Sequence, residues 1–177
     1  DARRDCTCFS IEYPNYFLLD SFRRRNLAHS PWCILQLNIR KLFEEHEGDM
    51  YYTALNSASN AAPTWCRSNL QNNPDILSTC KAFVDMFQEK NPDTRYNQQY
   101  TRTEKELKSY LPTNPQAEVL VKKKIPSIYI DKIYFNNQND LNKFTSEMKN
   151  VIILEKFCFV CDNFYFSSRD TVNWENR

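Results

Sequence analysis

The sequence predicts a mixed α/β domain of the α+β kind, and three observations carry that reading. Short runs rich in aromatic and β-branched residues stand at Cys6–Tyr13, Met50–Leu55 and Ile125–Phe135. Between and after them the apolar spacing is helical, most plainly in Leu141, Phe144, Met148 and Ile152. The chain has 177 residues, 41% of them hydrophobic and 14% aromatic, and a chain of this length buries roughly 70% of its unfolded surface. One domain covering residues 1–177 is therefore expected.

In the first strand Cys8, Ser10 and Glu12 alternate with Phe9, Ile11 and Tyr13, and Pro14 ends it. From Tyr16 to Glu47 the pattern turns helical, with Phe17, Leu18, Phe22 and Leu27 before Pro31 and Ile34, Leu35, Leu37, Leu42 and Phe43 after it. Ser30-Pro31 makes an N-cap and first-turn pair, so two helices or one broken helix are expected, stopped at Gly48-Asp49. Met50–Leu55 is the second strand. An Asn/Ser/Ala-rich loop runs to Pro63, and Trp65–Gln88 reads as mostly helical with a break at Asn72-Asn73-Pro74. Asn91-Pro92-Asp93 is a turn, and Thr103–Tyr110 a short polar helix. In the last third, Ile125–Ile130 is a strand with a proline near its start. Asp131-Lys132 is a two-residue turn and Ile133–Phe135 the returning strand. Asn139-Asp140 then caps a helix through about Leu154.

Composition removes several function classes. Gly48 is the single glycine, and phosphate-cradling P-loops and dinucleotide fingerprints need several. The 19 asparagines take over turns that glycine would serve. With 23 Lys+Arg against 22 Asp+Glu the formal charge is +1, without the basic field of many DNA-binding domains, so no nucleic-acid partner is expected. No apolar run approaches the 18 residues or so of a membrane span. Seven cysteines suit a secreted or lumenal protein better than a reducing cytosol. The polar start at Asp1 is read as a mature end left by signal-peptide removal.

The element order is that of the thioredoxin fold, with a helical, Cys-containing insertion at about 60–118 and a C-terminal tail at about 155–177. Its most particular mark is Pro126-Ser127-Ile128-Tyr129-Ile130-Asp131-Lys132, at the place of that fold's cis-proline strand. Ile11-Glu12-Tyr13 followed by Leu18-Leu19-Asp20-Ser21-Phe22-Arg23 resembles the start of the γ-interferon-inducible lysosomal thiol reductase family. Met50–Asn60, Trp65-Cys66, Cys80 and Ile125-Pro126 resemble later parts of it. The likeness is to a degenerate, salivary, mosquito-type member.

The resemblance implies that Leu18 stands where the attacking cysteine would be and Ser21 at the second motif position, with Pro126 as the cis-proline. Thiol-disulfide exchange needs a thiolate, and a serine without a neighbouring base does not replace it. The inherited activity is thus expected to be lost: no enzyme, no cofactor and no metal, but a secreted or lysosomal protein that binds a macromolecular partner. That partner is expected to be another protein, held in a stable heteromeric complex. The alternative is a thiol-disulfide oxidoreductase using the relocated pair Cys158-Phe159-Val160-Cys161; a helical carrier of a small ligand is a third reading.

In the topology so implied, Cys6 and Cys8 bridge to Cys158 and Cys161, although a four-thiolate zinc site from the same residues stays open. Cys66 and Cys80 are expected to pair, leaving Cys33 as a buried free thiol or an intermolecular link. His29 and His46 are too few for a metal site. Arg23-Arg24-Arg25 and Lys122-Lys123-Lys124 are basic runs that suit an anionic surface or plain solvation. The aromatic tail Phe157, Phe159, Phe164, Tyr165 and Phe166 suits packing or protein docking.

Overall fold

A computed structural model describes residues 6–26, 32–57, 78–93, 99–148 and 158–160. The elements run β1 Thr7–Ser10, α1 Tyr16–Asn26, β2 Cys33–Leu37, α2 Ile39–His46, β3 Met50–Thr53, α3 Cys80–Asp85, β4 Glu118–Val121, β5 Ile130–Phe135, α4 Gln138–Glu147 and β6 Cys158–Val160. They divide into two compact units, residues 1–12 with 43–125, and residues 13–42 with 126–177.

The first unit is built on an antiparallel sheet of order β1-β4-β3. Central β4 joins Val119, Leu120 and Val121, apolar toward both faces, and all three are buried, as a strand covered on both sides requires. Its register sets Val121 between Thr7 and Met50, and Glu118 between Ser10 and Thr53. Tyr51 and Leu120 form a small core against which Cys6 packs. At the other end of β4, Lys122 N–H donates to the Asp49 carbonyl and Lys123 pairs with the Asp49 carboxylate at 2.5 Å. Helix α3 begins at an N-cap, Thr79, whose hydroxyl accepts from Ala82 N–H at 3.2 Å. Its Phe83 meets Tyr52 edge-on at 5.3 Å.

The second unit holds the sheet of order β2-β5-β6, with β2 antiparallel and β6 parallel to central β5. Ile133 and Phe135 are buried, and Phe135 meets Phe144 of α4 with ring centroids 5.2 Å apart. Helix α4 starts at Asn137, whose side chain accepts from Asp140 N–H at 2.9 Å. Asn137→Ala removes that cap and is expected to cost about 1 kcal/mol, read as a lowered midpoint in chemical denaturation.

The coarse class holds: helices and two small sheets make a mixed α/β structure. Several finer expectations do not. The described strands form two three-stranded sheets where thioredoxin order calls for one. Residues 33–37, read as helix, are strand β2, because a short apolar run satisfies either period and its pairing with β5 decides. The Ile125–Pro126 bond is trans. Pro126 heads a 3-10 turn at Ser127–Tyr129 instead of entering a strand. Asp131-Lys132 makes no hairpin, since β5 runs straight through both, with a register shift opposite Gln36 and Leu37. The polar helix expected at 103–110 is a series of turns, with Glu106 at φ 50°. The expected insertion ends in Glu118, which opens the central strand of the first sheet.

Candidate active site

Three buried polar residues of the first unit, Thr53, Asn56 and Ser57, gather around one carboxylate. Glu118 heads β4 and is 6% exposed, where a charged group is costly unless hydrogen-bonded. Opposite it in the register stands Thr53, the last residue of β3. The Thr53 hydroxyl donates to the Leu55 carbonyl at 2.6 Å and so turns the chain back over the strand end, as short hydroxyl side chains do in turns. The turn delivers Asn56 and Ser57. Asn56 Nδ2 donates to Glu118 Oε1 at 3.0 Å. Ser57 N–H and Ser57 Oγ donate to Oε2 at 2.9 and 2.8 Å. Three donors on the two oxygens of one buried side chain satisfy it and fix its direction.

The segment leading into β4 is held as firmly. Thr113 is fully buried; its N–H donates to the Met86 carbonyl at 2.8 Å and its hydroxyl to the Gln88 carbonyl at 2.5 Å. The Arg102 guanidinium spans the loop, donating to the Leu111 and Lys108 carbonyls at 2.7 and 2.8 Å and to Thr113 Oγ1 at 3.1 Å. It lies over the Phe87 ring. Asn114 Nδ2 donates to Asn91 Oδ1 at 2.8 Å, and the same oxygen accepts from Asp93 N–H. The Thr103 N–H and hydroxyl donate to Glu89, holding its carboxyl below the ordinary range, with Thr101 and the Arg102 charge acting the same way. Glu118 is thus fixed from both sides: by the turn after β3 and by the loop before β4.

The expected site residues fall elsewhere. Leu18 and Ser21 are on α1 in the second unit, where Leu18 is 39% exposed and its N–H donates to Asn15 Oδ1. Pro126 is in that unit too. Cys6 and Cys8 sit at β1 in the first unit, and Cys158 in β6 of the second. Cys80 opens α3, while Cys66, Cys161 and His29 lie outside the described residues, as do Phe157, Phe164, Tyr165 and Phe166. Among the described residues no group of three or more His, Cys, Asp or Glu is placed to hold a metal. Of the basic runs, Arg23–Arg25 ends α1, with Arg24 paired to Asp20, and Lys123 is paired to Asp49.

Cys33 lies in β2, not on a helix. Burial pushes its thiol up, and the Cys158 thiol adds to the shift. A raised value means that the fold favours the protonated form. That contribution is present below the unfolded thiol value of about 8.5 and is lost as pH rises through the folded one. Denaturation at about pH 7 and pH 9.5 is expected to show a smaller high-pH loss of stability in Cys33→Ala than in the parent chain.

Glu118 has a local signal in the sequence that only its burial makes legible. Glu118-Val119-Leu120-Val121 is an acidic residue set directly before an all-apolar strand, a place for a buried carboxylate with a task. A family model described as "ssDNA thymidine ADP-ribosyltransferase, DarT" matches residues 3–166, nearly the whole chain. The chain belongs to the DarT family. A search of curated proteins finds no match.

DarT membership overturns the likeness to lysosomal thiol reductases, which rested on a few short segments around a missing Cys pair, whereas the family match runs through both units. The expectations of a redox-inactive binding protein and of exchange by Cys158 and Cys161 fall with it. So do those of no enzyme and of no nucleic acid, since the DarT description names an enzyme of single-stranded DNA. A formal charge of +1 does not exclude a nucleic-acid substrate, because a near-neutral chain lacks a long-range field but a site for a few nucleotides needs only local contacts.

Proposed function

We propose that the chain transfers ADP-ribose from a nicotinamide dinucleotide to thymidine in single-stranded DNA, with Glu118 as the catalytic carboxylate. The observation that carries this reading is the three-donor hold on a buried Glu118 in a DarT chain. Breaking the bond between a ribose anomeric carbon and nicotinamide leaves positive charge on that carbon, as glycoside cleavage does, and a fixed carboxylate stabilises such a transition state. Nicotinamide departs with the bonding electron pair, an atom of thymidine forms the new bond to the anomeric carbon, and the proton that thymidine loses passes to solvent.

Asn56 and Ser57 are positioning residues here: they hold the Glu118 carboxylate in one direction, so that little reorganisation is needed when charge develops. A single glycine excludes glycine-rich phosphate cradles, but it does not exclude a dinucleotide held by side chains and ordinary loops.

The test is to incubate the chain with NAD+ and thymidine-containing or thymidine-free single strands and to weigh the strands by mass spectrometry. An added ADP-ribosyl group only on the thymidine-containing strand is expected. NAD+ consumption with no strand modified would overturn the reading.

A further inference from the structure

The second unit offers a surface that the Glu118 site does not use. Tyr134, on central β5, donates its hydroxyl to Gln36 Oε1 on β2 at 2.7 Å and meets the Phe159 ring of β6 at 6.0 Å. Lys132 Nζ stands 5.7 Å from the centre of the same Phe159 ring. These contacts put Gln36, Lys132, Tyr134 and Phe159 on one face, in agreement with the pairing of Gln36 with Lys132 and of Tyr134 with Phe159. The other face carries Ile133 and Phe135, buried, with Phe135 against Phe144 of α4. The buried residues of β5 thus point to one side of the sheet, where Leu35 and Val160 at its edges stay partly exposed, and on the side with the aromatic pair Phe159 is 42% exposed and Lys132 and Gln36 are exposed.

We propose that this sheet face, with Phe159 and Tyr134 as its platform and Lys132 beside them, is a stacking surface for single-stranded DNA. It rests on the reading of a DNA substrate above, and adds a second contact in the unit that does not hold Glu118. Aromatic rings on an open sheet are a recurrent means of holding single strands, because every base has a π-face and stacking does not depend on sequence. The charge agrees: Lys132 is the only cation in these three strands, and their only acid, Asp131, faces the Asn38 amide at 3.5 Å. A phosphate beside a stacked base meets Lys132 without an opposing carboxylate on the platform. The described part of this unit also carries more Lys and Arg than Asp and Glu.

The test measures binding of a fluorescein-labelled thymidine oligonucleotide to the full chain by anisotropy, without NAD+ so that no turnover occurs. Phe159→Ala is expected to weaken binding about 5- to 100-fold, the range of one lost stacking contact, while Phe159→Trp retains it. Lys132→Gln, at an exposed position that folding does not need, is expected to lower the log–log salt slope by about 0.7. Wild-type affinity and salt slope in both Phe159→Ala and Lys132→Gln would overturn the proposal, as would preference for duplex or a dimer that Phe159→Ala dissolves. The two readings fail separately. A chain that binds through this face and transfers no ADP-ribose keeps the surface and loses the activity; one that modifies thymidine with unchanged affinity in both variants keeps the activity and loses the surface.

Discussion

Glu118→Gln is expected to lower the rate of ADP-ribosyl transfer by about 10²- to 10⁴-fold, the scale on which removal of one catalytic acid, base or charge stabiliser is felt. Glutamine keeps the size of the side chain and one carbonyl acceptor, so the β3–β4 pairing and the buried apolar strand are undisturbed. What it loses is the charge. The three donors from Asn56 and Ser57 are arranged for two acceptor oxygens, and an amide offers one oxygen and a competing donor. The measurement is single-turnover transfer to a thymidine oligonucleotide, with circular dichroism as the control for folding. A variant within threefold of the parent rate would remove Glu118 from the chemistry. Glu118→Ala differs in kind: it leaves the Asn56 and Ser57 donors buried and unmatched, at about 1–3 kcal/mol, so it lowers stability as well as rate.

Leu120→Ala is expected to destabilise the first unit strongly. Leu120 is 0% exposed on the central strand and packs with Tyr51 in the small core that also takes Cys6. Truncating a buried leucine costs about 2–5 kcal/mol, because lost transfer energy and the cavity add. In a chain of this size each kcal/mol moves the melting midpoint by roughly 2–4 °C, so a fall of about 4–20 °C is expected by calorimetry. The same change tests how β4 serves the site. Leu120 is two residues from Glu118 on the same strand, and activity at a temperature where the variant is still folded reports whether packing behind the strand keeps the carboxylate in place.

The elements that could be read from the residues are those whose signals are local. Thr7–Ser10 and Met50–Thr53 have the composition of strands and were found close to where the structure has them; the last helix was found too, although its cap is Asn137 in place of Asn139-Asp140 and it runs Gln138–Glu147, with the expected end at Leu154 outside the described residues. Cys33–Leu37 was misread because five residues are too few for period to separate strand from helix. Glu118–Val121 was missed because a run buried on both faces has no alternation to find. The Leu18 and Ser21 comparison relied on a short segment and an absent cysteine, and short segments fit unrelated families easily.

By itself the sequence determined the mixed class, the absence of glycine-built phosphate cradles, and the approximate places of β1, β3 and the last helix, since these depend on backbone freedom and local pattern. Only the tertiary structure decided which polar residues meet. Asn56, Ser57 and Glu118 are separated by about sixty residues along the chain, and nothing in their neighbourhoods announces that they meet. The β3–β4 register and the turn at Thr53 bring them together, and burial strengthens the three hydrogen bonds that hold the carboxylate in place.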